Sequence, residues 1–274
     1  MLESLNGTNI GNLNLEEPRT ESKTFDAEKD VTAKDWMGIL EELKSREHMA
    51  IIFLMYAKDA RILFPERDLE LRENKLDWVE DYLKLSGPVI APDAVVYNTL
   101  APAKIVFNDE DIHKKIKDLT EPLFDDMVLK LQEETPIGGG IIRVGTYLES
   151  ALNLAILFPE KFVPDAGFLE RLKQFKLKDA VSLHSYLDQL ATAKLLYPGY
   201  QPKLTDSEWV SARRLLDSYR SGDGYLQFAA LASNLKILTA TEARITEKGV
   251  ELIMPTPKPD FTKPTPLLPE MRKF

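Results

Sequence analysis

Side chains that commonly carry enzyme chemistry are scarce in this sequence of 274 residues. There is no cysteine, which excludes disulfides, thiolate zinc sites, iron–sulfur clusters and cysteine nucleophiles together. The three histidines, His48, His113 and His184, are 65 and 71 residues apart, and none has a second histidine at a metal-ligand spacing. The sequence therefore predicts no catalytic residue, no metal site and no bound cofactor, and an enzyme is the less favoured interpretation.

Three polar segments resemble ligand loops only in part. Residues 138–140 are a run of three glycines, but the Gly-Lys-Ser/Thr ending of a phosphate loop is missing. The acidic residues in 108–111 begin a predicted helix, where acids stabilise the helix N-terminus. Residues 217–224 place Tyr219 and Arg220 where a calcium loop needs oxygen ligands. We interpret the three segments as a loop insertion, a helix start and a turn between helices.

One set of residues keeps a catalytic or ligand-binding hypothesis open. Arg143 and Tyr147 closely follow the glycine run, and His184 lies in the next predicted repeat unit. If these three side chains meet, they form a pocket near the loop insertion at 135–147. Such a pocket would suit an enzyme or a small-ligand-binding domain.

A recurring five-residue phrase indicates the helices that must position any site. It reads Ala-Arg-Ile-Leu-Phe at 60–64, and the later copies are separated by 43, 51, 39 and 42 residues. The copies end at Phe64, Phe107, Phe158, Tyr197 and, more weakly, Thr239. Proline follows three of these ends, and proline cannot continue a helix. The phrase is therefore predicted to be the last turn of the second helix in a repeated pair.

An aromatic residue marks an earlier position in each pair. The series is Trp36, Trp78, Phe124, Phe168 and Trp209, in steps of 42, 46, 44 and 41 residues. The residues four and seven positions later lie on the same helical face and are nearly all apolar. The pattern predicts five helix pairs in which these aromatic rings occupy equivalent buried positions.

Helix pairs with a period of about 42 to 45 residues resemble the HEAT and armadillo class of repeats. The resemblance covers residues 32–240 and carries no signature of a functional family. It implies an all-α fold, a right-handed stack of about five antiparallel helix pairs, known as an α-solenoid. An irregular all-α bundle is the alternative fold.

The two ends of the chain differ from the repeats. Residues 1–31 are polar and aperiodic, which predicts a flexible leader. Residues 241–254 predict a short β-hairpin that turns at a glycine and caps the last repeat. Residues 255–274 contain six prolines, which predicts an extended Pro-rich tail.

Charge and hydropathy narrow the range of partners. With 44 acidic and 35 basic residues the net charge is −9, which disfavours nucleic acid and anionic membrane as partners. The most apolar run, residues 49–57, is far shorter than the roughly 20 residues that span a bilayer. No secretory signal is visible, so the expected location is the cytoplasm.

These features predict a protein-binding scaffold or adaptor that uses its helical-repeat surface, its tail or both. The expected partner is another protein, or a second copy of the chain through the tail. Apolar side chains on a chain stiffened by proline are what a groove-binding peptide offers. The tail residues of this kind are Phe261, Leu267, Leu268, Met271 and Phe274.

Overall fold

The computed structural model describes residues 25–32, 36, 40, 50–66, 100–107, 109–134, 144–220 and 225–256. These residues are mostly helical, with a two-stranded antiparallel hairpin near the C-terminal end, as predicted. The helices are α1 (Ala27–Asp30), α2 (Ala50–Leu63), α3 (Ala101–Val106), α4 (Glu110–Thr120), α5 (Phe124–Glu134), α6 (Val144–Leu157), α7 (Ala166–Leu172), α8 (Leu183–Leu196), α9 (Asp206–Arg220) and α10 (Tyr225–Thr239). The strands are β1 (Glu242–Thr246) and β2 (Gly249–Ile253). Within the described ranges no helix is both long and apolar enough to cross a membrane.

The repeated phrase ends a helix in every unit, which confirms its interpretation. Helices α2, α3, α6 and α8 each end one residue before the last residue of the phrase, and α10 ends on it. The four aromatic residues at this position are buried, so the phrase anchors the end of each helix in the core. We call α2, α3, α6, α8 and α10 the inner helices.

The inner helices pack against one another in a closed cycle. Each contacts the next in chain order, and α10 contacts α2. Two contacts from the N-terminal segment cross the same junction. The Phe25 amide donates to Thr239 Oγ1 at 3.3 Å, and Arg213 of α9 pairs with Asp30 of α1 at 3.1 Å. The repeat predicted as an open stack thus closes into a ring.

The reason for this difference lies in how repeats assemble. The sequence period reports the length of a helix pair, whereas the rotation between pairs depends on side-chain packing at each interface. A head-to-tail assembly stays open when those rotations do not complete a turn and becomes a ring when they do. Here the first and last inner helices meet.

Residues 25–31 also differ from the predicted flexible leader. They include α1, and Phe25, Ala27 and Val31 are buried in the hydrophobic core. These three apolar side chains, together with the Asp30–Arg213 ion pair, explain why this stretch folds with the ring. Residues 1–24 lie outside the described part of the chain.

Burial of the aromatic anchors follows the prediction in two of the four that can be assessed. Trp36 and Phe168 are each only 1% exposed, whereas Phe124 and Trp209 are half-buried and pack against the core. Trp78 lies outside the described residues. The ring of Trp36 lies near Tyr56 of α2 and Phe228 of α10, with centroids 5.8 and 6.5 Å away. This anchor therefore packs across the junction where the ring closes.

A cation at the second position of the phrase links neighbouring inner helices. Arg61 Nε donates to Val106 O at 3.2 Å, and Lys104 Nζ donates to Leu157 O at 3.1 Å. The equivalent Lys194 and Lys236 bind carbonyls at the ends of α10 and α2 respectively. Helix C-termini carry unpaired carbonyls and partial negative charge, so cations stabilise them. These bonds also show that the inner helices run parallel, with their C-terminal ends at one side of the ring.

The hairpin covers that C-terminal side. Strand β1 contacts α8 and α6, and β2 contacts α3. Gly249 in the turn has a φ of +111°, a conformation that favours glycine, and a Cβ there would lie 3.7 Å from Ile105 Cα. The predicted cap on an exposed last repeat is therefore wrong in its placement. A closed ring has no exposed last repeat, and the hairpin contacts several inner helices instead.

Candidate ligand-binding cavity

The inner helices surround a cavity of about 380 Å³. Residues from all five inner helices line it, together with Val250 of the hairpin. This volume lies within the range of about 300–1,000 Å³ that is typical of small-molecule pockets. The cavity is therefore large enough to admit a small organic ligand.

The lining residues recur at equivalent positions of the units. Most of them stand two, five, six or nine residues before the last residue of the phrase. Intervals of three and four residues keep side chains on one face of an α-helix. The same face of each inner helix is thus turned toward the centre of the ring.

One end of the cavity is apolar and closed. The position two residues before the end of the phrase is aliphatic in every unit, and Val250 lies beside this set. We call the set the floor; its members are Ile62, Ile105, Ile156, Leu195, Ile237 and Val250. Because the floor lies at the C-terminal ends of the inner helices, the hairpin closes the cavity there.

The next level of the cavity is polar. The position five residues before the end of the phrase carries a polar side chain in four of the five units, and Pro102 is the exception. Lys58 and Ser233 adjoin this level. We call the following set the polar layer: Asp59, Asn153, Thr192 and Asn234, with Lys58 and Ser233.

The level nearest the N-terminal ends of the inner helices is the mouth. It contains Met55, Glu149 and Asp188, all of them exposed, with Ser185 and Gln189 beside them. Asp188 accepts a hydrogen bond from the amide of Asn234 at 3.1 Å, which connects the mouth to the polar layer. The cavity is thus open to solvent at the end opposite the floor.

Asp59 is the most deeply buried carboxyl group of the cavity, with 6% of the residue exposed. Burial raises the pKa of this carboxyl group, because removal from water disfavours the charged form. Lys58, whose Nζ lies 3.8 Å away, and a hydrogen bond from Ser233 act in the opposite direction. The negative charge of Asp188 raises the pKa further, which shows that the two carboxyl groups interact.

Gln189 provides a buried acceptor at the mouth. Its Nε2 donates to Ser185 Oγ at 3.1 Å, while its Oε1 is fully buried and has no hydrogen-bond partner in the described part of the chain. A buried acceptor without a partner is costly, and native structures contain few of them. Because this oxygen has almost no accessible surface, a ligand donor would satisfy it only if the Gln189 side chain turned toward the cavity.

The residues of the predicted alternative pocket do not line this cavity. Tyr147 is buried with its ring centroid 4.1 Å from that of Phe168, and its hydroxyl accepts from the Asp165 amide at 3.3 Å. His184 is half-buried with its ring 5.7 Å from that of Tyr219, and burial lowers its pKa. Arg143 lies outside the described residues.

Other sequence-predicted features have structural roles or lie outside the described ranges. Asp109 accepts from the amides of Asp111 and Ile112, which confirms a helix start at the acidic run. His113 Nε2 donates to Phe107 O at 2.6 Å, beside the C-terminal end of α3. The glycine run at 138–140, His48 and the tail residues Phe261, Leu267, Leu268, Met271 and Phe274 are outside the described part of the chain. Among the residues that are described, no three His, Cys, Asp or Glu side chains form a group that could hold a metal ion.

A second, smaller cavity of about 230 Å³ lies between α3, α4 and the turn after α6. Four described lysines line it, and three of them are engaged in bonds within the protein. Lys104 donates to Leu157 O, Lys161 pairs with Glu121, and Lys114 pairs with Asp118 at 2.7 Å. The central cavity is the better candidate because it has a closed apolar end and an acceptor that lacks a partner.

The cavity was not predicted from the sequence, although a recurring pattern of residue types in the repeat indicates the lining positions. Counting back from each phrase gives aliphatic residues at the second position and mainly polar ones at the fifth. A polar set on an otherwise apolar helix face is unusual for core packing. The pattern alone does not reveal that these positions meet around one axis, because that requires the ring to close.

Comparisons with known proteins bring no further guide to function. Neither a family model, nor a curated protein, nor a solved structure matches this chain. A functional proposal therefore depends on the geometry of the cavity.

Proposed function

We propose that the protein binds a small molecule in its central cavity. The observation that carries this proposal is the layered lining: an aliphatic floor, a buried polar layer and an exposed mouth, built from the same face of five helices. Pockets for small ligands are mostly apolar, with a few polar groups that orient the ligand. A ring centre that served stability alone would be filled with apolar side chains, because buried polar groups cost free energy.

Asp59 extends this proposal toward catalysis. Asp59 is a buried carboxyl group whose pKa is raised by burial, and groups of this kind in a cavity are candidates for proton exchange with a bound ligand. A second carboxyl group, that of Asp188, is close enough to influence it. A ligand found by the screen described next should therefore also be tested for chemical conversion, with Asp59→Asn as the variant.

The test is a screen of small metabolites by thermal shift with a matched pair of variants. Ala230→Phe places a ring at the mouth of the cavity, whereas Ala166→Phe adds the same ring at an exposed position at the start of α7. A ligand that binds in the cavity should raise the Tm of the native protein and of Ala166→Phe but not that of Ala230→Phe. If Ala230→Phe does not fold, Asn153→Ala replaces it. Equal stabilisation of all variants, or no ligand at all, would overturn the proposal.

A second proposal is protein binding through the C-terminal tail, as the sequence suggests. The observation that favours it is the exposure of Ile253 and Met254, 44% and 38%, just before the described chain ends at residue 256. Apolar surface thus adjoins the Pro-rich segment that carries Phe261 and Leu267. Deletion of residues 257–274 tests this role. Lost association at unchanged stability supports partner binding, lower stability indicates that the tail docks on its own ring, and no change contradicts both.

A further inference from the structure

We propose that the ligand of the central cavity is a small aliphatic amine, bound as its ammonium ion. This inference rests on the proposed function and names its ligand class. It depends on three properties of the described lining: buried acceptor groups, the negative charge of the mouth, and the apolar floor. Each property is argued from its own residues.

The first property is the number of acceptors that remain for a ligand. Gln189 Oε1 is buried and has no partner among the described residues. Asp59 is buried, accepts a hydrogen bond from Ser233, and has the Lys58 ammonium 3.8 Å away. A carboxylate has room for about four hydrogen bonds, so Asp59 can accept a further donor from a ligand. An ammonium group carries three donors and no acceptor, so it satisfies such sites without adding an unpaired acceptor of its own.

The second property is the charge along the path of entry. Carboxylates of Glu149 and Asp188 line the mouth, and Asp59 lies one level deeper, whereas Lys58 is the cation that lines the described part of the cavity. Among the described lining residues three carboxyl groups face one ammonium, so this part of the lining carries a net charge of −2 when all four groups are ionised. Clefts lined by one sign of charge concentrate ions of the opposite sign. The mouth therefore favours cations over anions.

The third property is the shape of the cavity beyond the polar layer. The floor consists of branched aliphatic side chains and offers no polar partner. It lies three residues beyond the polar layer along each helix, a rise of about 4.5 Å. A ligand whose charged group stays in the polar layer would thus place a short hydrocarbon chain on the floor. None of the described lining residues is aromatic, so this part of the cavity has no ring on which a planar ligand could stack.

The experiment measures binding of n-butylamine to the full chain by calorimetry at pH 7, with n-butanol and butyrate as probes of similar size. We expect butylamine to bind and the neutral and anionic probes to bind at least tenfold more weakly. Asp59→Asn should weaken butylamine binding by about tenfold or more, because a charge-assisted hydrogen bond is lost. Asp125→Asn, which removes the same charge from an exposed site on α5, should leave the affinity unchanged.

If Asp59→Asn does not fold, binding to Asp188→Asn at different salt concentrations provides a second test. Asp188→Asn at the mouth should weaken binding less, and raising the salt concentration should reduce its effect, because an exposed charge is screened. Equal binding of butanol or butyrate, or full affinity in both Asp59→Asn and Asp188→Asn, overturns the amine assignment. If a neutral or anionic ligand is blocked by Ala230→Phe, the amine assignment fails while the proposed function stands. If no probe or metabolite binds, both fail.

Discussion

The two ends of the central cavity are made from the same set of inner helices, of which α3 contributes no described residue at the mouth, and the two ends differ in chemistry. At the floor every unit contributes an aliphatic residue, the lysines and arginine nearby bind helix-end carbonyls, and the hairpin closes the surface. At the mouth the equivalent face carries two acids, Glu149 and Asp188, together with the apolar Met55 and Ala230. Uniform residues at one end and varied residues at the other indicate that the floor holds the ring together and the mouth selects what enters.

The largest expected effect comes from the floor. Ile156→Ala removes a side chain that is 3% exposed, and large-to-small changes at such sites leave a cavity. We expect a loss of about 2–5 kcal/mol in the free energy of unfolding. Urea unfolding measures it. A loss below 1 kcal/mol would mean that the floor does not act as core, and the comparison between the two ends would fail.

The next effect comes from the cations near the floor. Lys194 is 1% exposed, and its ammonium donates to Leu238 O, at 3.1 Å, and to Ala240 O. Lys194→Met keeps much of the hydrocarbon chain and leaves these carbonyls without their donor, so we expect a loss of about 1–3 kcal/mol. The control Lys178→Met, at an exposed position, should change stability by less than about 0.5 kcal/mol. Equal effects of the two variants would contradict a role for Lys194 in linking helices.

Lys194 also predicts a dependence of stability on pH. Burial lowers its pKa from an ordinary value of 10.5 to about 8. Between these values the unfolded chain binds more protons at this lysine than the folded chain does, so stability rises with pH, by at most about 1.4 kcal/mol per pH unit. The measurement is the free energy of unfolding from pH 7.5 to 9.5, below the ionisation of exposed tyrosines. Lys194→Met should lack the rise in stability. An identical pH profile in the native protein and in Lys194→Met would show that Lys194 does not cause the rise.

The smallest effect is expected at the mouth. Met55→Ala shortens a side chain that also lines the cavity but is 44% exposed. We expect less than about 1 kcal/mol, because little apolar surface returns to water and no closed cavity forms. The same urea unfolding measures it beside Ile156→Ala. A loss comparable to that of Ile156→Ala would show that both ends are core, and the division between floor and mouth would need revision.

Local features of the structure were predictable because their causes are local. Proline after Phe64, Phe158 and Tyr197 ends a helix by removing a donor and by steric clash, whatever the rest of the chain does. The hairpin at 242–253 follows from two short apolar runs and Gly249, whose positive φ suits the turn. The partial burial of Trp209 shows where periodicity is insufficient, because exposure depends on the neighbours that cover a helix face.

The candidate site was less predictable for a physical reason. Tyr147 and His184 belong to the pocket predicted near the break in the period, and both pack outside the cavity. Asp59 and Gln189 attract no attention in the sequence, since neither belongs to a motif. Their roles arise from burial and from residues of other helices, such as Ser233 and Asp188 beside Asp59, which are more than 100 residues away in the chain.

By itself, the sequence determined the helical character of the described chain and the residue at which each inner helix ends, since short-range sterics and periodicity decide these properties. Only the tertiary structure decided that the pairs form a ring with a cavity at its centre. Closure depends on the sum of the small rotations at all the junctions between units, and no single segment encodes that sum. Lys236 shows what the sequence alone cannot predict. Its position in the phrase is visible in the sequence, but its acceptor, Leu63 O, lies 173 residues away in the chain. The two groups come within hydrogen-bond distance only when the ring closes.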